Sequence, residues 1–228
     1  MPKHSTRFSD LKQSVDKTTV FPANEAIETI KNLKSAKFDE TVEVHFRLGI
    51  NPKKGDQQVR GTVVLPISFG ETKKIAAFVP ENKEKEAKEA GADIVYTEST
   101  IGALQKSGKI DFDIAIAVPE IMKLLAPLAR FLGPKGLMPS PKNETITTNL
   151  KKTIEELKKG KVAFKNDDTA NVHLSIGKKS MATEQLMKNY ESVFDALTKA
   201  KPEGSKGVYI KNITICSTMS PGIKVAVK

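Results

Sequence analysis

The 228-residue chain has no tryptophan and a single cysteine, Cys216. One thiol excludes an intramolecular disulfide and most cysteine-based zinc sites, and it fits a reducing cytoplasm. Histidine is scarce as well. His4, His45 and His173 lie far apart and show no H-E-x-x-H spacing. Long apolar runs are missing: stretches such as residues 114–118 fall well short of the ~20 residues of a membrane span, so no membrane partner is expected. No apolar core follows Met1 to Ser5, so no secretory signal is read there. No three lysines or arginines are consecutive, which argues against a basic disordered tail.

What the chain does have is a globular balance, 39% hydrophobic and 28% charged, with a formal net charge of +10. That excess biases the protein towards polyanions, although many basic proteins bind none. Its distribution is uneven: residues 1–66 carry +3, residues 67–159 carry +2 and residues 160–228 carry +5. The outer segments therefore hold most of it.

The middle has a clear rhythm. Residues 74–79 form an apolar run ended by Pro80, a good first helical residue. Residues 81–90 follow as a helix with Glu81/Lys85 and Glu84/Lys88 at i,i+4 spacing and Gly91 as its stop. Ile94 to Tyr96 reads as a strand, and Ser99 or Thr100 as the cap of a short helix ending near Gly108. Residues 111–118 end in a strand buried on both faces, and Pro119 opens a helix through Met122, Leu125 and Leu128. Alternating strands and helices over about 60 residues read as a small α/β layer with a mostly parallel sheet.

The outer segments differ. Asn24 reads as the N-cap of an amphipathic helix to Lys34. Residues 41–50 alternate, with Val42, Val44, Phe46, Leu48 and Ile50 on one side and Glu43, His45 and Arg47 on the other, as in a half-exposed strand. Residues 60–65 make a second strand. Residues 154–159 read as a basic helix end stopped by Gly160. Residues 162–164 and 172–176 look like a strand pair around Asn166-Asp167-Asp168. A helix spans 184–197 and a final strand 208–216, with a bulge expected near Lys211-Asn212. Strands outside both ends of an α/β unit make the middle an insertion within another domain.

Catalytic and cofactor chemistry is thinly represented. The glycine-containing stretch Gly133-Pro134-Lys135-Gly136 is neither G-x-x-x-x-G-K-[ST] nor G-x-G-x-x-G, and its prolines remove backbone donors. A rigid connecting loop is the simpler reading, with nucleotide binding the alternative. Asp111 and Asp113 stand at i,i+2 beside a strand start, where solvation competes with Mg²⁺ binding. His45 reads as an exposed surface histidine and Cys216 as a small packing residue. No catalytic residue, metal or cofactor is expected.

Three outer strips carry groups that RNA recognition uses: Lys37-Phe38-Asp39-Glu40-Thr41, the stretch ending Lys178-Lys179-Ser180, and Ser217-Thr218-Met219. Lysines meet phosphates, hydroxyls meet 2′-OH groups, and flat or soft apolar groups meet sugars and bases. Each also has a plain structural reading: Phe38 in the core, Ser180 capping a helix, Met219 packing at an edge.

These strips, together with residues 57–61 (QQVRG), 132–139 (LGPKGLMP) and Phe164-Lys165-Asn166-Asp167, resemble in order the bacterial ribosomal protein L-one family, over essentially the whole chain. The resemblance implies a non-enzymatic α/β protein of two domains. Residues 1–67 and 160–228 would form a discontinuous α/β, RNA-binding domain, and residues 68–159 an inserted Rossmann-like domain without a nucleotide site. It implies binding to large-subunit ribosomal RNA at the mobile stalk, help in releasing deacylated tRNA from the exit site, and repression of the protein's own operon mRNA. By position, the RNA contacts would be Lys37, Phe38, Thr41, Lys178, Ser180, Thr218 and Met219. A cytoplasmic, ribosome-bound protein, monomeric when free, is expected. Two residues depart from the family pattern: Ser220 stands where glycine is usual after Thr-Met, and Ser140 where asparagine follows LMP.

Overall fold

A computed structural model describes residues 5–16, 19–34, 36–70, 73–107 and 110–227. The chain divides into two compact units, Met1–Gly70 with Val162–Lys228, and Glu71–Lys161. The fold is mixed α/β with several sheets, one of them parallel. In chain order the elements are α1 (Thr6–Ser14), β1 (Val20–Phe21), α2 (Ala23–Asn32), β2 (Thr41–Leu48), β3 (Arg60–Val64), β4 (Ile75–Phe78), α3 (Glu84–Glu89), β5 (Ile94–Tyr96), α4 (Glu98–Ser107) and β6 (Ile114–Ala117). They continue with α5 (Met122–Leu125), α6 (Ala129–Leu132), α7 (Leu150–Lys158), β7 (Lys161–Lys165), β8 (Asn171–Lys178), α8 (Thr183–Lys199), β9 (Ile210–Ser217) and β10 (Ile223–Val225). No helix among the described residues is long and apolar enough to cross a membrane.

The discontinuous unit is built on a five-stranded sheet ordered β1-β10-β9-β2-β8. The alternation of β2 decides its faces: Val42, Val44, Phe46 and Leu48 are buried, while the intervening residues are partly or fully exposed. Ile27 and Ile30 of α2 and Leu186, Val193 and Leu197 of α8 join the same core. Each such fully buried side chain contributes about 1.5–3 kcal/mol. β2 runs antiparallel to both β8 and β9, so its first residue, Thr41, lies beside the last residues of both neighbours. The expected bulge is present: Arg47 pairs with Asn212 and Leu48 with Ile210, leaving Lys211 unpaired.

Several local expectations are corrected. Residues 162–164 and 172–176 do not pair with each other; β7 pairs with β3 and β8 with β2. The Asp167 turn redirects the chain between the two sheets, its carboxylate accepting the Thr169 and Asn171 amides at 2.9 and 2.6 Å. Phe164 locks β7 onto β3, because a Cβ at Gly61 would lie 2.7 Å from its ring. Asn24 is not the cap of α2: it lies in the first turn, and Pro22 holds the N-cap position. The last long strand is β9, and the three-residue β10 follows it. Like α1, with only Leu11 buried, and the two-residue β1, β10 is too short or too polar to show a period.

The other unit has the parallel sheet β5-β4-β6. All four residues of the central β4 are buried. One cluster on this sheet gathers Phe78, Ile101, Leu104, Leu125, Leu128 and Leu132, and a second gathers Ala87, Leu150, Ile154 and Leu157. The expected helix after Pro119 is instead broken into α5, α6 and short 3₁₀ turns. Pro127 lacks an N–H and cannot continue an i→i−4 ladder. Ser99 and Thr100 sit inside α4; Thr97 precedes it, and its amide donates to the Thr100 hydroxyl at 2.7 Å. The expected stop at Gly108 lies outside the described residues. Gly91 and Gly160, by contrast, take positive φ of 90° and 94° after their helices, which suits glycine.

Candidate nucleic-acid interface

The antiparallel register around β2 brings three distant strips to one end of the sheet. Thr41 pairs with Lys178, and Val42 with Ser217. The Thr41 amide donates to the Thr218 hydroxyl at 3.0 Å, and the Thr218 amide donates to the Thr41 carbonyl at 3.0 Å. The Lys178 ammonium donates to Thr41 Oγ1 at 2.9 Å. Around this frame Lys37 and Thr218 are exposed, and Phe38 and Met219 expose 53% and 46% of their surface. Phe38 does not belong to the core, contrary to its plain structural reading. Ser180 caps no helix: its amide and hydroxyl donate to the Asp39 carboxylate at 3.2 and 2.7 Å.

Beneath the strips lies Glu40, which is 1% exposed and which the sequence reading left without a role. Its carboxylate accepts the Ser217 hydroxyl, the Ala36 amide at 2.6 Å and the Met219 amide at 3.4 Å. Burial alone would raise its pKa. The Ser217, Ala36 and Met219 hydrogen bonds and the Lys179 charge outweigh burial and hold the carboxyl below its ordinary value. Lys179 is itself buried and donates to the Leu33 carbonyl, while its backbone amide donates to the Glu40 carbonyl at 2.8 Å. Burial lowers its pKa, against the pull of Glu40. Glu40 thus ties together all three strips. Only a charge flanked by three hydroxyl- and amide-bearing segments signals such a role, and that signal needs the tertiary contact.

Arg7 of α1 was also missed. Its guanidinium donates to the Lys34 and Met219 carbonyls, each at 3.4 Å, setting a cation behind the Thr218-Met219 turn. Ser220 closes that turn: its hydroxyl accepts the Ser217 amide at 2.8 Å and its amide donates to the Ser217 carbonyl at 3.0 Å. Its φ is not positive, so serine fits here without backbone strain. At Ser140, the amide donates to the Thr145 hydroxyl at 2.8 Å.

The competing sites fare differently. Within LGPKGLMP the Gly136 and Leu137 amides donate to the Gly133 and Leu132 carbonyls, so those donors are turned inward rather than towards a phosphate. Asp113 accepts the Lys74 amide at 2.9 Å, while Asp111 lies exposed 4.0 Å from the Lys74 ammonium. His45 is not the exposed histidine expected of the polar side. It is half-buried, with Nδ1 2.8 Å from His173 Nδ1 and Nε2 3.1 Å from Cys216 Sγ. Burial first, then the His173 charge, lowers its pKa against Glu43. Cys216 is likewise partly exposed, and burial and Glu43 push its thiol up to about 11.

A family model described as the Ribosomal protein L1p/L10e family matches residues 30–221, a span that holds all three strips and the LGPKGLMP loop. The chain belongs to this family. Membership gives it a structural role in the large ribosomal subunit, binding to ribosomal RNA, and a place on the ribosome in the cytoplasm. The family is one of structural RNA-binding proteins and not of enzymes. Helix α1, with Arg7, precedes the matched span.

Proposed function

We propose that the sheet end where β2 begins and β8 and β9 finish grips large-subunit ribosomal RNA at the mobile stalk. Lys37 and Lys178 meet phosphates. Thr41, Ser180 and Thr218 meet 2′-OH groups and sugar edges, and Phe38 and Met219 lie against sugars or bases. The carrying observation is the convergence of the three strips on one frame locked by Glu40, with two large apolar side chains left exposed on it. In this reading the discontinuous unit is the RNA-binding domain and the inserted unit a Rossmann-like domain without a nucleotide.

The reading extends to two activities of the bound protein: assisting release of deacylated tRNA from the exit site, and repressing translation by holding a stalk-like structure in its own mRNA. Ribosomes lacking the protein then release exit-site tRNA more slowly, and a reporter carrying the operon leader is repressed when the protein is supplied.

The deciding experiment compares affinity for a stalk rRNA fragment with that for an arbitrary RNA duplex of equal length. Clear preference for the stalk fragment is expected, with log affinity falling linearly against log salt as lysines neutralise phosphates. Equal affinity for both RNAs reduces the surface to a generic binder and overturns the stalk assignment.

A further inference from the structure

The partly exposed polar face of the same sheet carries a second cluster, starting two residues along β2 from Thr41 and one residue along β9 from Ser217. The register sets Glu43 opposite Cys216 and His45 opposite His173. His45 Nε2 stands 3.1 Å from Cys216 Sγ and 4.0 Å from Glu43 Oε2. One ligand atom from each of these three residues lies within 4.8 Å of the other two.

The surrounding contacts admit a proton order that frees His45 Nε2 for a ligand. Asp167 is fixed by hydrogen bonds from the amides and side chains of Thr169 and Asn171, and its Oδ2 lies 3.5 Å from His173 Nε2. In the neutral tautomer with the His173 proton on Nε2, the nitrogen facing that carboxylate, His173 Nδ1 is an acceptor. The 2.8 Å contact between the two Nδ1 atoms then requires the proton on His45 Nδ1. That leaves the His45 Nε2 lone pair directed at Cys216 and Glu43. A ligating histidine whose other nitrogen donates to an anchored acceptor is the arrangement metal sites use to fix ring orientation.

We propose that Glu43, His45 and Cys216 form a site for one borderline-soft divalent cation of the Zn²⁺ class, with His173 as a positioning residue behind His45. The donor set selects the ion: Mg²⁺ and Ca²⁺ require oxygen ligands, whereas thiolate, imidazole and carboxylate together suit zinc. The geometry is near the required one. Zn–S of ≈ 2.3 Å and Zn–N of ≈ 2.0–2.1 Å at a tetrahedral angle separate sulfur and nitrogen by roughly 3.5 Å. The sulfur–nitrogen pair therefore needs about half an ångström of movement, and the Glu43 oxygen, within 4.8 Å of the other two ligand atoms, swings in by up to about an ångström. On binding, the Cys216 thiol gives its proton to water and a metal–sulfur bond replaces the S–H bond. With three protein ligands on a partly exposed face, the fourth position goes to water.

The test titrates the full chain, in a thiol-free reductant, with Co²⁺ as an optical stand-in and then with Zn²⁺. A near-ultraviolet thiolate-to-cobalt band saturating at one equivalent and erased by Zn²⁺ is expected. Cys216→Ser abolishes the band, and Glu43→Gln and His45→Gln each weaken binding at least ~10-fold. His173→Gln weakens binding ~10-fold while the band survives, which general loss of structure would not allow. His4→Gln leaves binding unchanged. Circular-dichroism melts accompany every variant, and Glu43→Gln, at a partly exposed side chain, serves if Cys216→Ser unfolds. Absence of the band at millimolar Co²⁺, an intact band in Cys216→Ser, parental affinity in Glu43→Gln, or loss of binding in His4→Gln overturns the site.

Discussion

Two sheet ends in this molecule invite ligands, and they treat their polar groups in opposite ways. In α/β folds the carboxyl ends of parallel strands are the usual ligand crevice. Here those ends are satisfied internally: the Val79 amide donates to Tyr96, the Val118 amide to Phe78, and the Ala117 amide to Thr145. At the antiparallel sheet end the backbone is satisfied too, but side chains are left outward, with Lys37, Phe38, Thr218 and Met219 all exposed. Charge follows the same division. With the boundaries at 70/71 and 161/162, the discontinuous unit carries +7 and the inserted unit +3. One of the inserted unit's cations, Lys161, is buried between Glu144 and Glu156. Burial would lower its pKa, and the two carboxylates reverse that and hold the ammonium above its ordinary value. An α/β layer is thus no evidence of a nucleotide site unless its strand ends leave donors unspent.

The largest effect that sharpens this contrast lies at Glu40. Glu40→Gln keeps the shape but removes a buried charge that accepts three hydrogen bonds and faces Lys179. A loss of about 3 kcal/mol in unfolding free energy is expected from denaturant melts, together with weaker stalk RNA binding. The folded-state pKa of Glu40 lies below its ordinary 4.5, so its stabilisation is full above that value and is lost as pH falls through the folded pKa. The variant therefore shows a shallower acid loss than the parent. Identical acid profiles would show that Glu40 does not tie the strips.

A smaller effect separates surface from frame. Phe38→Ala and Met219→Ala remove exposed apolar groups, so thermal melts stay within about 0.5 kcal/mol of the parent. Affinity for the stalk fragment falls by ~1–3 kcal/mol for each if they lie against bases. Thr218→Val weakens binding in the same range, though its hydroxyl also accepts the Thr41 amide. Unchanged affinity in all three variants removes this end of the sheet from the interface.

How much of this was legible beforehand depended on the range of the interactions. The alternation of β2 and the bulge at Lys211 are local patterns and were readable. So were the Gly91 stop and the run that became β4, whereas Pro80, expected as the first helical residue, is the extended cap of a 3₁₀ turn over Glu81–Lys83 that precedes α3. The pairing of β7 was not readable, because a turn between two strands does not say whether they pair or part; the Phe164–Gly61 contact decides that at long range. The three strips were visible as compositions, but their meeting depends on β2 being antiparallel to two neighbours at once. Glu40 and the His45, His173 and Cys216 contacts were hidden for the same reason. Each is a cross-strand contact between residues more than 100 positions apart.

The smallest expected effect is the most pointed, because it sets one lysine of each region side by side. Lys37 and Lys135 are both exposed, and both lie within the span that the family model matches. Lys37 is beside the exposed Phe38 and the strand start, whereas Lys135 sits in a loop whose Gly136 and Leu137 amides bond within the loop itself. If the discontinuous unit alone meets the stalk, Lys37→Ala lowers the log–log salt slope by ~0.7–0.9, the share of one neutralised phosphate. Lys135→Ala then leaves slope and affinity within error of the parent. The salt slope is the better readout, since it counts phosphates and is blind to small changes in stability. A slope lowered equally by both variants would place RNA on the inserted unit as well and end the contrast between the two sheet ends.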